Sequence, residues 1–236
     1  MNVKLKHKPN LTRVELEITT KCNLKCFSCN RLCSEAESDE EMSIAQIDKF
    51  LFESDSRPWK SVAIMGGEPL LHTQIDVVLD RFAQYAQLHP KVDVKLMTNG
   101  IIKKDVPKGI RVHATPKAKR FVPEFGNVLL APKDRFTHNV YSCRITSNCG
   151  LGLTRYGYFP CGCGASVARV AGLDIGIKRL EDVTMKAVKA QLKQLCHLCG
   201  RNLEYEVKCE DDATVSPFWK KTMELYEKEK PCLGLY

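Results

Sequence analysis

The sequence predicts an α/β fold: a partial, open parallel β/α barrel of about five strands, followed by a small cysteine-rich C-terminal domain. Three observations carry that expectation. Strand-like and helix-like runs alternate between residues 14 and 113. The alternation fails after His113. Eight of the twelve cysteines then lie beyond Tyr141, among glycine clusters. Strand–helix alternation implies parallel strands joined by crossover helices. The change in composition places a boundary near residue 140, dividing a core of residues 1–140 from a segment of residues 141–236.

Each element has a local signal. Val14-Glu15-Leu16-Glu17-Ile18 alternates apolar and polar, the period of a strand. Ser43 with Gln46 three residues later is a capping-box signature, and Ile44, Ile47, Phe50 and Leu51 follow at helical spacing. Ser61-Val62-Ala63-Ile64-Met65 is a short apolar run stopped by Gly66-Gly67, the pattern of a buried strand closed by a tight turn. Residues 73–88 place Ile75, Val78, Leu79, Phe82 and Tyr85 on one side of a second helix. Val92-Asp93-Val94-Lys95-Leu96-Met97 is a third strand, closed by Thr98-Asn99-Gly100. Ile110-Arg111-Val112-His113 and Val128-Leu129-Leu130 are the fourth and fifth strand candidates. The stretch between them is just long enough for a minimal crossover and is broken by proline and glycine. Further helices are expected over 181–195 and 218–228.

Composition excludes some classes. With 44% hydrophobic and 27% charged residues, the chain is not of the disordered type. The polar, lysine-rich start has no apolar core of a signal peptide, and no stretch approaches the roughly 18 apolar residues of a membrane helix. A cytoplasmic protein with no membrane partner is expected. In a reducing compartment, clustered cysteines point to metal or redox chemistry rather than disulfides. The net charge of +8 is spread over scattered lysines, with one denser stretch at Lys117-Ala118-Lys119-Arg120, which argues against nucleic acid as a partner.

Cys22, Cys26 and Cys29 are three thiols within eight residues, a set suited to a soft metal centre. Iron–sulfur clusters normally take four thiolates, so three would leave one iron open to another ligand. Two other readings fit the spacing. These positions share one helical face and suit packed thiols, and Cys33 would complete a closed structural site.

Cys22-Asn23-Leu24-Lys25-Cys26-Phe27-Ser28-Cys29, directly after a strand, resembles the signature of the radical S-adenosylmethionine (SAM) superfamily. Gly66-Gly67-Glu68-Pro69 at the end of the second strand resembles that family's SAM-amine motif, and Thr98-Asn99-Gly100 resembles its usual ending of the third strand. The resemblance implies a [4Fe-4S] cluster on Cys22, Cys26 and Cys29, with SAM on its open iron. It also implies one-electron cleavage of SAM to a 5′-deoxyadenosyl radical, which takes hydrogen from a substrate. Gly66, Gly67, Glu68, Pro69 and Asn99 are its implied SAM-site residues. The Glu68 carboxylate, on a turn expected to face solvent, is offered to the SAM ammonium. The family carries an aromatic residue immediately before its third cysteine, beside the adenine. Ser28 stands there, and the neighbouring Phe27 is offered instead.

Cys149-Gly150-Leu151-Gly152, Gly157 to Cys161, and Cys196-x2-Cys199 resemble the auxiliary-cluster extensions of these enzymes, the twitch and SPASM types. The resemblance implies an auxiliary [4Fe-4S] cluster on Cys149, Cys161, Cys196 and Cys199, accepting or relaying an electron. The same four thiolates also suit a structural zinc. Cys143, Cys163, Cys209 and Cys232 remain over. The expected activity is radical chemistry on a small polar substrate, fed by an electron donor such as flavodoxin or ferredoxin. A stand-alone peptide maturase or epimerase is the alternative, and a zinc-bearing nucleic-acid module a remote one.

Overall fold

A computed structural model describes residues 7–26, 29–115, 143–202 and 215–236. Its sheet has the order β4-β3-β2-β1-β5-β6. β1 (Arg13–Glu17), β2 (Ser61–Met65), β3 (Asp93–Thr98) and β4 (Arg111–Ala114) run parallel, with Val14 opposite Val62, Val62 opposite Val94, and Leu96 opposite Val112. α1 (Ile44–Ser54) and α2 (Ile75–Leu88) are the crossover helices. Ser43 caps α1 as its sequence predicts: its hydroxyl accepts from the Gln46 N–H, and the Gln46 side chain returns the bond to the Ser43 N–H. Such a cap uses two N–H groups that a helix end leaves without partners.

Among the described residues the sheet has six strands where about five were expected, and β5 and β6 come from an unexpected place. β5 (Leu151–Thr154) lies parallel beside β1, with Val14 opposite Leu151 and Leu16 opposite Leu153. β6 (Gly157–Phe159) pairs antiparallel with β5 around Arg155-Tyr156, and Gly157 takes the positive φ that this tight turn requires. The glycine-rich hairpin after Cys149 therefore completes the core sheet. The strand candidate Val128-Leu129-Leu130 lies outside the described residues, as do Lys117-Ala118-Lys119-Arg120, Phe27 and Cys209.

The rest of the chain adds α3 (Ile145–Asn148), α4 (Gly162–Ala171), α5 (Met185–Leu195) and α6 (Pro217–Lys228). The sequence reading missed α4. Its glycines weigh against helix, and its residues from Gly162 to Val170 are all buried, so it shows no amphipathic stripe. Two apolar cores result. One packs α1, α2 and α5 on the sheet face formed by Val14, Leu16, Val62, Ile64, Val94 and Leu96. The other joins α4 and α6 through Val167, Val170, Trp219 and Tyr226, with Leu32 from the cysteine loop. Arg169 of α4 fastens that loop: its guanidinium donates to the carbonyls of Arg31, Leu32 and Ala36 and to the Tyr226 hydroxyl.

Ser43→Ala removes the hydroxyl that accepts from the Gln46 N–H and leaves the backbone N–H of position 43 on the Gln46 side chain. It should destabilise the fold by about 1 kcal/mol, the ordinary worth of an N-cap, and a thermal or urea melt reads that loss directly.

Candidate functional site

Period-2 alternation puts Glu15, Glu17, Met65 and Met97 on the face opposite to the apolar core. This second face carries a cavity of about 220 Å³ at the C-terminal ends of β1, β2 and β3. Open parallel sheets bind ligands at such strand ends. Cys22, Cys26 and Cys29 line the cavity together with Gly66, Gly67, Thr98 and Asn99. Cys149 and Cys163 also line it.

The glycines of the second-strand turn line the cavity, and they also let two turns approach each other. A Cβ on Gly66 would stand 2.3 Å from the Thr19 carbonyl oxygen. One on Gly67 would stand 2.3 Å from the Lys21 carbonyl oxygen and 2.9 Å from the Cys22 Cβ. Gly67 N–H donates to Thr19 O at 2.9 Å and Glu68 N–H to Lys21 O at 2.8 Å. The segment bearing Cys22 is thereby bonded to the end of β2.

Glu68 departs from expectation. Its turn does not face solvent; the residue is fully buried and is not part of the cavity wall, nor is Pro69. The carboxylate accepts from the Thr98 hydroxyl at 2.8 Å, the Asn99 N–H at 2.9 Å and the Leu70 N–H at 3.2 Å. Its work in this structure is to hold the end of β3. Asn99 reaches the cavity and donates to Asn23 Oδ1 at 2.7 Å, which ties the third strand to the cysteine loop.

Sequence reasoning missed two charged groups on the cavity wall, Glu15 and Arg31. Arg31 donates to Glu15 Oε2 at 2.6 Å and stands 3.8 Å from Glu17. Burial works against the guanidinium charge, and the two carboxylates outweigh it. The signal was available: a carboxylate in the middle of a parallel strand is unusual, because such strands are covered on both faces.

Glu17 is deeper still. Burial pushes its carboxyl up to about 7, although Arg31 and Arg169 pull it down. Cys149 is pushed up to about 12 by burial and by Glu15, to which its thiol hydrogen-bonds.

The other C-terminal thiols gather at the α4 and α5 ends. Cys161 is the N-cap of α4, its sulfur accepting from the Gly164 N–H at 3.3 Å. Cys196 caps α5, and its backbone carbonyl accepts from the Cys199 N–H across a 3-10 turn. Burial raises Cys161 and Cys199 well above the usual thiol range, and each also feels Cys143 and Cys163. Of the four expected auxiliary ligands, Cys161, Cys196 and Cys199 are thus neighbours, while Cys149 faces the first cavity. Among the described residues no group of three or more His, Cys, Asp and Glu side chains is gathered to hold a single metal ion. The first three cysteines ring a cavity instead, and soft thiols around a volume suit an iron–sulfur cluster, a larger guest than one ion. No helix among the described residues is long and apolar enough to cross a membrane.

No family model matches the chain. It is 37% identical over 87 residues to a probable GTP 3′,8-cyclase of Methanococcus maripaludis, a match covering 37% of this chain and 28% of that protein. It is 27% identical over 107 residues to the GTP 3′,8-cyclase of Clostridium acetobutylicum, covering 45% of this chain and 33% of that protein. The match thus spans about a third of the length of these curated relatives. In fold, it is similar to the crystal structure of BtrN in complex with AdoMet and 2-DOIA, with a TM-score of 0.51 at 15% identity, covering 86% of this chain and 96% of that one. The partial sequence matches to the GTP 3′,8-cyclases support the radical SAM superfamily, and the likeness to BtrN is one of fold.

Two expectations follow from this geometry. Glu68→Ala removes an acceptor shared by three buried donors and should cost about 2 kcal/mol or more in a denaturant melt, with Glu68→Gln retaining part of it. An unchanged melt would show that the carboxylate does not hold β3. For Glu17, the folded state binds the proton more tightly than the unfolded chain between the ordinary value of 4.5 and about 7. Its contribution to stability therefore falls as pH rises through that window and stays reduced above it. Glu17→Gln should shrink the difference in melting temperature between about pH 5 and about pH 8.

Proposed function

We propose that this chain is a radical SAM enzyme acting on a small polar substrate. One observation carries the reading: Cys22, Cys26 and Cys29 share a cavity with Gly66, Gly67, Thr98 and Asn99 at the C-terminal ends of three adjacent parallel strands. Cys22, Cys26 and Cys29 would hold a [4Fe-4S] cluster. When bound there, such a cluster supplies the electron that cleaves SAM to a hydrogen-abstracting 5′-deoxyadenosyl radical.

The chain's own residues prepare that chemistry. The backbone bonds from Gly67 and Glu68 to Thr19 and Lys21 fix where Cys22 stands. Glu68 fixes Thr98 and Asn99, which present polar groups to the cavity for the amino-acid or ribose part of SAM. Leu24, Met65 and Met97 give the same wall an apolar share that keeps water from a reactive radical. The cavity on one side of the sheet favours a small substrate. The relatives' name refers to GTP, itself a small polar molecule, and so favours this reading over a peptide substrate.

A second centre belongs to the reading. The segment after residue 140 would hold an auxiliary [4Fe-4S] cluster on Cys161, Cys196 and Cys199, with the fourth thiolate from Cys143 or Cys163. The sequence offers Cys149 for that place; Cys143 and Cys163 are favoured because both act on Cys161 and Cys199, although Cys163 lines the first cavity as Cys149 does. The electron would come from a flavodoxin or ferredoxin, and a reducing cytoplasm would keep the thiols free.

Anaerobically reconstituted protein should carry about eight irons, four in each cluster. Replacing Cys22, Cys26 and Cys29 by Ala together should abolish 5′-deoxyadenosine formation with dithionite and leave about half the iron. Continued formation of 5′-deoxyadenosine would refute the SAM-site assignment. Cys161→Ala should lose the second centre, and Cys149→Ala should keep it. Zinc in place of iron in the triple variant would make the second centre structural.

A further inference from the structure

Arg31 lies two residues beyond Cys29, yet its side chain leaves the cysteine loop and ends among residues from three other parts of the fold. Nη2 meets Glu15 of β1 at 2.6 Å and the sulfur of Met65 of β2 at 2.9 Å. Nη1 stands 3.8 Å from Glu17 and makes no hydrogen bond among the described residues. The guanidinium also occupies the space beside Gly162, where a Cβ would fall 1.6 Å from Nη1. Gly162 is the first residue of α4, between Cys161 and Cys163. Gly152 makes the seat possible, since a Cβ there would stand 2.7 Å from the Gly162 nitrogen. The side chain is only 9% exposed.

Arg31 is therefore a buried cation that lines the cavity of Cys22, Cys26 and Cys29 and packs on the helix start that bears Cys161 and Cys163. Glu15 continues the connection to Cys149. Burying a guanidinium with two carboxylates is not an economical way to fill a core, because desolvation offsets much of the attraction. Apolar side chains would pack this space at least as well. The charge itself is what such an arrangement retains.

We propose that Arg31 is a positioning and charge-balancing residue that sets the reduction potentials of both cysteine-held centres, with Glu15 as its counterweight. The inference rests on the reading of those centres as iron–sulfur clusters. Gaining an electron makes a cluster more negative. A cation fixed beside it favours the reduced form, and an anion disfavours it. Arg31 and Glu15 thus act in opposite directions on the same pair of centres.

The test is an EPR-monitored redox titration of the reconstituted protein, with iron content and circular dichroism measured on every variant. Arg31→Gln should lower the midpoint potential of both centres, and Glu15→Gln should raise it. Arg31→Lys, which keeps the charge but not the fork, should fall nearer the wild type than Arg31→Gln. Gly162→Ala adds the methyl that the guanidinium excludes. It should lower the potentials with no change of charge, and it decides the matter if Arg31→Gln fails to fold. A purely structural role predicts no ordered, opposite shifts. Potentials unchanged in Gly162→Ala and Glu15→Gln, or shifted in the same direction by Arg31→Gln and Glu15→Gln, overturn the proposal. If the wild-type protein takes up no iron, the reading of the centres fails first and this inference falls with it. Normal iron with unmoved potentials refutes the role of Arg31 alone.

Discussion

The turns that follow β1 and β2 lie against each other with no room for a methyl group, and much of the site depends on that contact. A methyl on Gly66 or Gly67 would fall inside contact distance of backbone oxygens, which cannot rotate away as a side chain can. The approach brings the Thr19 and Lys21 carbonyls within bonding distance of two N–H groups. Cys22 inherits its position from those bonds. Glu68, next along the turn, passes the constraint to β3 through Thr98 and Asn99, and Asn99 returns it to the cysteine loop at Asn23. The circuit closes on itself, so three strand ends and one loop are held as a unit.

Much of this was legible in the residues. Ser43 and Gln46 announced the start of α1, and the structure begins the helix at Ile44. The apolar run at 61–65 and its two glycines located β2, and the cysteine spacing located the cavity. What failed had physical causes. α4 is buried on every side, so it lacks the one-sided pattern by which a helix is recognised. β5 and β6 are short and glycine-containing, and read as a hairpin of a separate segment. Nothing local in Leu151-Gly152-Leu153-Thr154 says that its partner is Val14 to Leu16. Glu68 was expected to be available to a ligand, because a sequence does not show that a carboxylate has already been enclosed by its neighbours. Arg31 escaped notice for the same reason: the pairing with Glu15 spans β1 and the cysteine loop.

The two faces of β1 follow different rules. Val14 and Leu16 belong to the main apolar core, and their burial drives the sheet onto its helices. Glu15 and Glu17 turn to the other face, into a region closed by α4 and the cysteine loop. Alternation alone reads those glutamates as a solvated face. The closing elements come from residues 31–38 and from beyond residue 160, and they convert the face into a buried, charged interior. Glu17, with a carboxyl pushed to about 7, records how far that conversion goes.

The place of β5 has a consequence for how the protein is made. One of the two neighbours of β1 is Leu151 to Thr154, which leaves the ribosome well over a hundred residues after it. Until that neighbour arrives, β1 has an open hydrogen-bonding edge, and the part of the cavity wall formed by Cys149 and Cys163 does not exist. Closing so long a loop is entropically slow, and contacts of this range delay folding. The cysteine loop that directly follows β1 is thus synthesised long before its surroundings are finished. Its thiols are therefore made before the residues that cover them, and a reducing setting during synthesis would matter more here than for a chain whose cysteines lie last.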